Sequence, residues 1–150
     1  MLCCIVLNFE GVYMRFENLT DCFNYVNTLI IYDNGQKLCF DKGDDKFQYI
    51  TKILSECTLY SHEMPGFGVD GDKTEKEDKN KGIWLELYFG TCCTHNGFDF
   101  DSLLFRIEKE SFELNIIRRI NGKIAGQCFF LSLDNSLKQL YNVIEEILNK

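Results

Sequence analysis

Two neighbouring residues, Asn121 and Gly122, constrain the fold of this chain more than any other pair. They stand between two strand-like runs, where Asn-Gly favours a two-residue type I′ turn whose central residues both need positive φ. Such a turn sets the register of the whole hairpin. The expected cross-strand pairs are Ile120 with Lys123, Arg118 with Ala125, Ile116 with Gln127, Leu114 with Phe129, and Phe112 with Leu131.

One face of this hairpin carries most of its apolar bulk and therefore needs a cover. The segment that follows begins with residues that favour a helix N-terminus, Asp134, Asn135 and Ser136. After them, apolar residues recur at helical spacing of three and four positions. These residues are Leu137, Leu140, Tyr141, Ile144, Ile147 and Leu148. We predict an amphipathic helix over about 135–149 that packs on the apolar face of the hairpin.

A similar layout occurs earlier in the chain. Asn34-Gly35 separates two strand-like runs, 28–32 and 36–40, and an acidic junction leads into an amphipathic segment over about 45–57. Asp44 and Asp45 stand at the start of that segment, where a helix carries partial positive charge. The repeat is explained either by duplication of a β-β-α unit or by the frequency of hairpin-then-helix arrangements, and the sequence does not decide between them.

These elements predict a single α+β domain over residues 1–150. We expect a mostly antiparallel sheet of about five to seven strands, with the helices near 45–57 and 135–149 packed on one of its faces. The expected order is an N-terminal hairpin, a short helix, a hairpin, a helix, a long loop, a four-strand meander and a helix. Residues 1–13 form an optional strand or extension, since Met14 is an alternative start. Residues 70–81 and 91–102 are expected to be loops.

Composition excludes several classes of partner. The formal net charge is −7 and Lys and Arg are not clustered, which argues against binding to nucleic acid or to an anionic membrane. No run approaches the roughly 20 apolar residues of a membrane span, and the N-terminus lacks the pattern of a secretory signal. We therefore expect a cytoplasmic protein whose eight cysteines are reduced.

The cysteines and histidines offer two chemical hypotheses. Four ligands for zinc could come from two segments if these meet in the fold: Cys57 and His62 in one, and Cys92, Cys93 and His95 in the other. The spacing disfavours zinc, because adjacent cysteines rarely both reach one ion. Alternatively, a cysteine near His95 or His62 could act as a thiol nucleophile, but no third orienting group is evident. Ordinary loop thiols are the simpler interpretation.

Two pairs of aspartates could bind a hard cation such as Ca²⁺ or Mg²⁺. Asp70 with Asp72, and Asp99 with Asp101, each place two carboxylates on one side of an extended segment. Neither pair belongs to a calcium-loop pattern, so solvated loops or turn hydrogen bonds are favoured instead. We predict no bound metal and no cofactor.

A run of alternating residues offers a surface for a protein partner. Trp84, Glu86 and Tyr88 share one face of the strand that begins at Ile83, while the opposite face is apolar. If both faces are covered, Glu86 becomes a buried acid that needs a partner such as Arg106 or Arg118. If they are not, the aromatic face is suited to binding, since Trp and Tyr are enriched in interface hot spots.

No recognised catalytic motif is present: there is no phosphate-binding glycine loop, no G-x-S-x-G and no H-E-x-x-H. The preferred hypothesis is a non-catalytic interaction or regulatory module that binds a protein or associates with itself. The second is a small-molecule or metal-binding protein that uses the loops 62–72 and 91–101. The third is a small Cys/His enzyme. The candidate binding residues are Trp84, Glu86, Tyr88, His62, His95, Cys92, Cys93 and Asp99.

Overall fold

The computed structural model describes residues 4–8, 11–59, 62–65, 80–111, 113–131 and 135–149. The strands are β1 (Cys4–Asn8), β2 (Gly11–Phe16), β3 (Thr28–Asp33), β4 (Gln36–Asp41), β5 (His62–Pro65), β6 (Ile83–His95), β7 (Phe98–Ile107), β8 (Glu113–Ile120) and β9 (Lys123–Leu131). The helices are a 3₁₀ helix (Leu19–Tyr25), α1 (Asp45–Leu59) and α2 (Ser136–Leu148). Asp70, Asp72, Phe112 and Asp134 lie outside the described residues, as does most of the expected loop 70–81.

The nine described strands form one sheet, so the predicted α+β class is confirmed. Its main path has seven strands in the order β1-β2-β6-β7-β8-β9-β5, and β6 to β9 form the predicted four-strand meander. The hairpin of β3 and β4 joins the same edge of β6 as β2 does: β3 pairs with Ile83–Tyr88, and β2 pairs with residues 92–95. The β2–β6 pairing is parallel and the others are antiparallel.

Three Asn-Gly pairs make tight turns in the described part of this sheet. Asn34-Gly35, Asn96-Gly97 and Asn121-Gly122 all have positive φ at both residues, as a type I′ turn requires. Two of them are the predicted turns. The third shows that the prediction of a loop over 91–102 is wrong, because β6 continues to His95 and β7 starts at Phe98. Asn96-Gly97 is the same turn dipeptide as in the other two hairpins, but the residues on either side of it are polar enough to be typical of a loop.

The register predicted for the last hairpin is correct next to its turn and wrong beyond it. Ile120 pairs with Lys123 as expected, but Arg118 faces Gly126 and Leu114 faces Phe130. A β-bulge in β9 leaves Ala125 as an extra residue, and every later pair is displaced by one. Phe130 therefore shares the apolar face of Leu114 and is buried there.

Both helices cover one face of the sheet, as predicted. Ile50 and Ile53 of α1 and Leu140 and Ile144 of α2 are buried in the same core cluster as the strand residue Leu114. The helices also contact each other. Neither helix, nor the 3₁₀ helix of the described chain, is long and apolar enough to cross a membrane.

The opposite face of the sheet carries a second and smaller cluster. Tyr32, Trp84, Leu104 and Ile117 are buried there, with Ile30 and Ile124 packed against them. Because both faces of β6 are occupied, its burial pattern lacks the simple alternation of a strand with one wet side.

Candidate binding cleft

The candidate site is built by an irregularity in the middle of β6. Between the pairs Tyr88–Ser102 and Cys93–Phe100, β6 contains residues 89–92, whereas β7 contains only Asp101. Asn27 stabilises this bulge: its backbone N–H donates to the Tyr88 carbonyl at 2.7 Å, and its side-chain amide donates to the Phe89 carbonyl at 3.0 Å. Gly90, at the centre, has φ of +69° and no room for a Cβ beside Asn27.

A cleft with a volume of about 620 Å³ lies against this bulge. One side is formed by β6 and β7, and the other by the end of β8 and its turn. The lining residues are Tyr88, Gly90, Thr91, Cys92, Asp101, Ser102, Arg119, Ile120, Asn121 and Gly122. The Asn121 backbone N–H donates to Asp101 Oδ2 at 2.9 Å, which ties the β8–β9 turn to β7.

A buried ion pair supports the cleft from beneath. Glu86 is fully buried, and Arg119 Nη1 donates a hydrogen bond to its Oε1. The Tyr32 hydroxyl donates to Glu86 Oε2 at 2.6 Å, while Arg119 Nη2 donates to the Gly122 carbonyl at 3.1 Å. A carboxylate removed from water needs such partners to remain charged. Arg119 is thus fixed in position between Glu86 and the turn.

The partner of Glu86 differs from the residues that the sequence indicated. Arg106 forms an ion pair with Glu108 at 3.0 Å and lies over the Trp84 ring, and Arg118 lies on the other face of the sheet. Glu86 pairs with Leu104 of β7, and Leu104 pairs with Ile117 of β8, so these three side chains lie on one face of the sheet. Arg119 follows Ile117 by two residues and therefore lies on the same face. Strand alternation therefore brings Arg119 to Glu86 and turns Arg118 away.

The two tyrosines near Glu86 are held in their neutral forms. Burial raises the pKa of Tyr88 to about 12, and the negative charge of Glu86 and a hydrogen bond with it act in the same direction. Burial also raises the pKa of Tyr32, again with a contribution from Glu86. Both hydroxyls consequently remain protonated to a higher pH than that of an ordinary tyrosine. Tyr88 is 37% exposed, so its ring is accessible from the cleft.

The rim near Cys92 is electrically negative. Burial raises the pKa of the Cys92 thiol, and the carboxylates of Asp99 and Asp101 raise it further. Asp99 accepts a hydrogen bond of 2.6 Å from Thr94 Oγ1 on the neighbouring strand. An activated thiol nucleophile has the opposite shift, towards a stable thiolate.

His95 and Cys93 lie on the helix-covered face, away from the cleft. Both are buried, and Arg118, also buried, has its Nη2 2.9 Å from His95 Nδ1. Because a guanidinium can only donate, Nδ1 must be the acceptor, and a neutral His95 ring carries its proton on Nε2. The Arg118 guanidinium also lies over the Phe98 ring, 5.1 Å from its centroid.

The eight residues predicted from the sequence thus separate into groups. Tyr88 and Cys92 line the cleft, Glu86 lies beneath it, and Asp99 lies near its rim. Trp84, Cys93 and His95 are buried, which leaves Tyr88 as the accessible member of the predicted Trp84/Glu86/Tyr88 surface. His62 is at the start of β5, where the structure describes the backbone.

Sequence reasoning missed the residues that complete the cleft. The sequence pattern predicts a loop at Asp101 and Ser102, and it indicates Arg106 or Arg118 as the partner of Glu86 in place of Arg119. The Asn96-Gly97 turn was the signal that could have placed Asp101 and Ser102 on a strand beside Tyr88.

Within the described ranges, no group of three or more His, Cys, Asp or Glu residues is arranged to hold a metal ion. Comparison of the chain with protein-family models, with curated proteins and with solved structures gives no match, so its function has to be inferred from this geometry.

Proposed function

We propose that the chain is a non-catalytic binding module that accepts a positively charged side chain of a protein partner, lysine or arginine, in the cleft beside Tyr88. The observation that carries this proposal is the cleft itself: about 620 Å³ of open space in which an accessible tyrosine ring stands close to the carboxylate of Asp101. Pockets of roughly 300–1,000 Å³ are the usual size for accommodating small ligands.

The charges around the cleft favour a cation. The positive charge of Arg119 is compensated by Glu86, to which it donates a hydrogen bond. The carboxylates of Asp101 and Asp99 remain, and after burial they are the next causes of the raised pKa of Cys92. A lysine ammonium or arginine guanidinium that enters the cleft can pair with Asp101.

The Tyr88 ring supplies a second interaction for the same ligand. A cation over an aromatic face gains about 0.5–2 kcal/mol, more when water is excluded. Burial and the negative charge of Glu86 raise the pKa of the Tyr88 hydroxyl to about 12, so the ring carries no charge of its own at neutral pH. The overall charge of −7 would also steer a basic partner towards the chain.

A small amine is the alternative ligand, since it offers the same cationic group without a protein behind it. The thiol-enzyme hypothesis has less support, because the pKa of Cys92 is raised and His95 is engaged by Arg118 on the other face of the sheet.

Titration of the ¹⁵N-labelled protein with acetyl-Ala-Lys-Ala-amide, followed by NMR, tests the proposal. The expected shifts fall on Tyr88, Cys92, Ser102 and Asn121, and a peptide with norleucine in place of lysine should produce none of them. Asp101→Asn should weaken binding at least about tenfold, since it removes one charge but keeps an oxygen that can accept from Asn121. Glu56→Gln, on the exposed side of α1, is the matched control for charge and should bind normally.

Butylamine provides the second arm of this experiment. If it binds as tightly as the peptide, the small-amine alternative replaces the protein partner. If neither probe shifts the cleft resonances, or if the norleucine peptide binds equally well, the proposal is wrong.

A further inference from the structure

The strand β4 forms an edge of the described sheet. Within the described part of the chain it pairs with β3 alone. Its side chains are exposed except for Phe40, which is partly buried, and Leu38 is 41% exposed. An edge strand of six residues without proline presents unpaired N–H and C=O groups to any strand that can align with it.

The geometry of the β3–β4 turn determines which backbone groups face outwards. In a hairpin with a two-residue turn, the flanking pair, here Asp33 and Gln36, is hydrogen-bonded, and hydrogen-bonded pairs alternate along the ladder. Gln36, Leu38 and Phe40 therefore direct their amides and carbonyls towards β3. The alternate residues Lys37 and Cys39 direct theirs towards the open edge. Asp41, at the end of the strand, directs its N–H there, while its carbonyl accepts from the Asp44 N–H at 3.1 Å and its carboxylate from the Gly43 N–H at 3.1 Å.

Side chains alternate in the same way. Phe40 packs against the core below the helices, so Leu38 shares that face. Lys37, Cys39 and Asp41 lie on the opposite face, where the Lys37 ammonium is 5.5 Å from the centroid of the Tyr32 ring. One side of β4 thus carries the apolar residues Leu38 and Phe40. The other side carries Cys39, with Lys37 two positions before it and Asp41 two positions after it.

We propose that a second copy of this chain pairs with β4, antiparallel and with the two-fold axis passing between the two Cys39 residues. In that register Cys39 faces Cys39 of the second copy, Leu38 faces Phe40, and Lys37 faces Asp41. Opposite charges and apolar pairs directly across an antiparallel ladder each stabilise it by about 0.2–1 kcal/mol. Both sets occur twice because of the symmetry.

Neighbouring registers lack this match. With the axis at Leu38, Lys37 faces Cys39 and Gln36 faces Phe40, and no charged pair forms. Both registers keep the helical layers of the two copies on one side of a continuous sheet, because residues directly opposite each other share a face. The charged pairs are what distinguish the Cys39 register. Lys37 and Asp41 therefore select both the partner, which is a second copy, and its alignment.

Charge reversal tests the proposal by sedimentation equilibrium. The wild-type chain is expected to dimerise. Lys37→Asp and Asp41→Lys should each weaken dimerisation about tenfold or more, since like charges then face each other twice. An equimolar mixture of the two variants should recover the dimer, because each opposes the charge of the other. Lys52→Asp, on the exposed side of α1, makes the same charge change as Lys37→Asp and should leave the dimer intact.

Cross-linking gives the register independently of affinity. A short bis-maleimide should join two chains through Cys39, and Cys39→Ser should abolish the product. A wild-type chain that stays monomeric at millimolar concentration overturns the proposal. So does a dimer that tolerates Lys37→Asp, or two reversed variants that fold, as judged by circular dichroism, and fail to associate when mixed.

Discussion

The two faces of the sheet are stabilised in different ways. On the helix-covered face, aliphatic and aromatic residues from α1, α2 and six strands form one large cluster. On the other face, four buried residues form a small cluster beside an ion pair between Glu86 and Arg119. Apolar burial contributes in proportion to area and needs no exact geometry, whereas a buried charge is stable only while its partner is in place.

Two consecutive residues of β8 illustrate this difference. Arg118 turns towards the helix-covered face and contacts the neutral His95 and the Phe98 ring, while Arg119 turns towards the cleft and pairs with an anion. The helix-covered face thus depends on extensive apolar burial, whereas the cleft face depends on a few polar contacts that also shape the cleft.

Removing the anion from the cleft face should have the largest effect. Glu86→Gln leaves Arg119, which is largely buried, without its counter-charge, and we expect a loss of about 3–5 kcal/mol in the free energy of unfolding. Urea denaturation measures this loss. Glu113→Gln, an exposed substitution of the same kind, should change stability by less than about 0.5 kcal/mol. A loss below 1 kcal/mol for Glu86→Gln would show that the ion pair between Glu86 and Arg119 does not stabilise this face of the sheet.

Truncation on the helix-covered face should cost a similar or smaller amount. Leu140 is a fully buried residue of α2, and Leu140→Ala should reduce stability by about 2–5 kcal/mol through lost burial and the cavity left behind. Leu59, exposed at the end of α1, provides the control, and Leu59→Ala should cost less than about 1 kcal/mol. Equal losses for the two leucines would contradict the assignment of the core to this face.

A smaller loss is expected at the bulge that displaces the register of β9. Gly126 has φ of +147°, and a Cβ there would lie 2.9 Å from the Phe98 ring. Gly126→Ala should therefore cost about 1–3 kcal/mol and disturb the Arg118–Phe98 contact. Gly122→Ala has no such neighbour and is strained by its φ alone. If the two variants show the same chemical shifts at Phe98, the bulge does not position that ring.

The smallest effect concerns alkaline pH. The pKa of Tyr88 is raised from 10.0 to about 12 in the folded chain, so between these values the unfolded state releases a proton that the folded state retains. Stability from this group is complete below pH 10 and is lost as the pH rises towards 12. Tyr88→Phe should reduce the decline of the urea midpoint over this range. An identical decline in the variant would mean that Tyr88 titrates normally.

Local signals in the sequence were sufficient for most of the fold. Asn-Gly turns defined two hairpins, and residues spaced at three and four positions, such as Leu140 and Ile144, defined the helices and the face that they cover. The order of elements follows from the same short-range patterns. These features are predictable because each depends on residues that are neighbours in the chain.

The cleft could not be predicted in the same way, because it depends on contacts between distant segments. The bulge at Gly90 is stabilised by Asn27, and the choice of Arg119 over Arg118 as the partner of Glu86 depends on alignment across three strands. In β9, Gly126 follows the extra residue Ala125 and lies against the ring of Phe98, which belongs to the β6–β7 hairpin. Strand periodicity alone contains none of this information.

A double-mutant cycle between Glu86 and Arg119 tests most directly whether the cleft face depends on their interaction. Glu86→Gln, Arg119→Met and the double variant would be unfolded in urea under identical conditions. We predict a coupling energy of about 2–3 kcal/mol, with the double variant more stable than the sum of the single losses implies. A coupling energy below about 0.5 kcal/mol would contradict the account, since each residue would then stabilise the chain independently of the other.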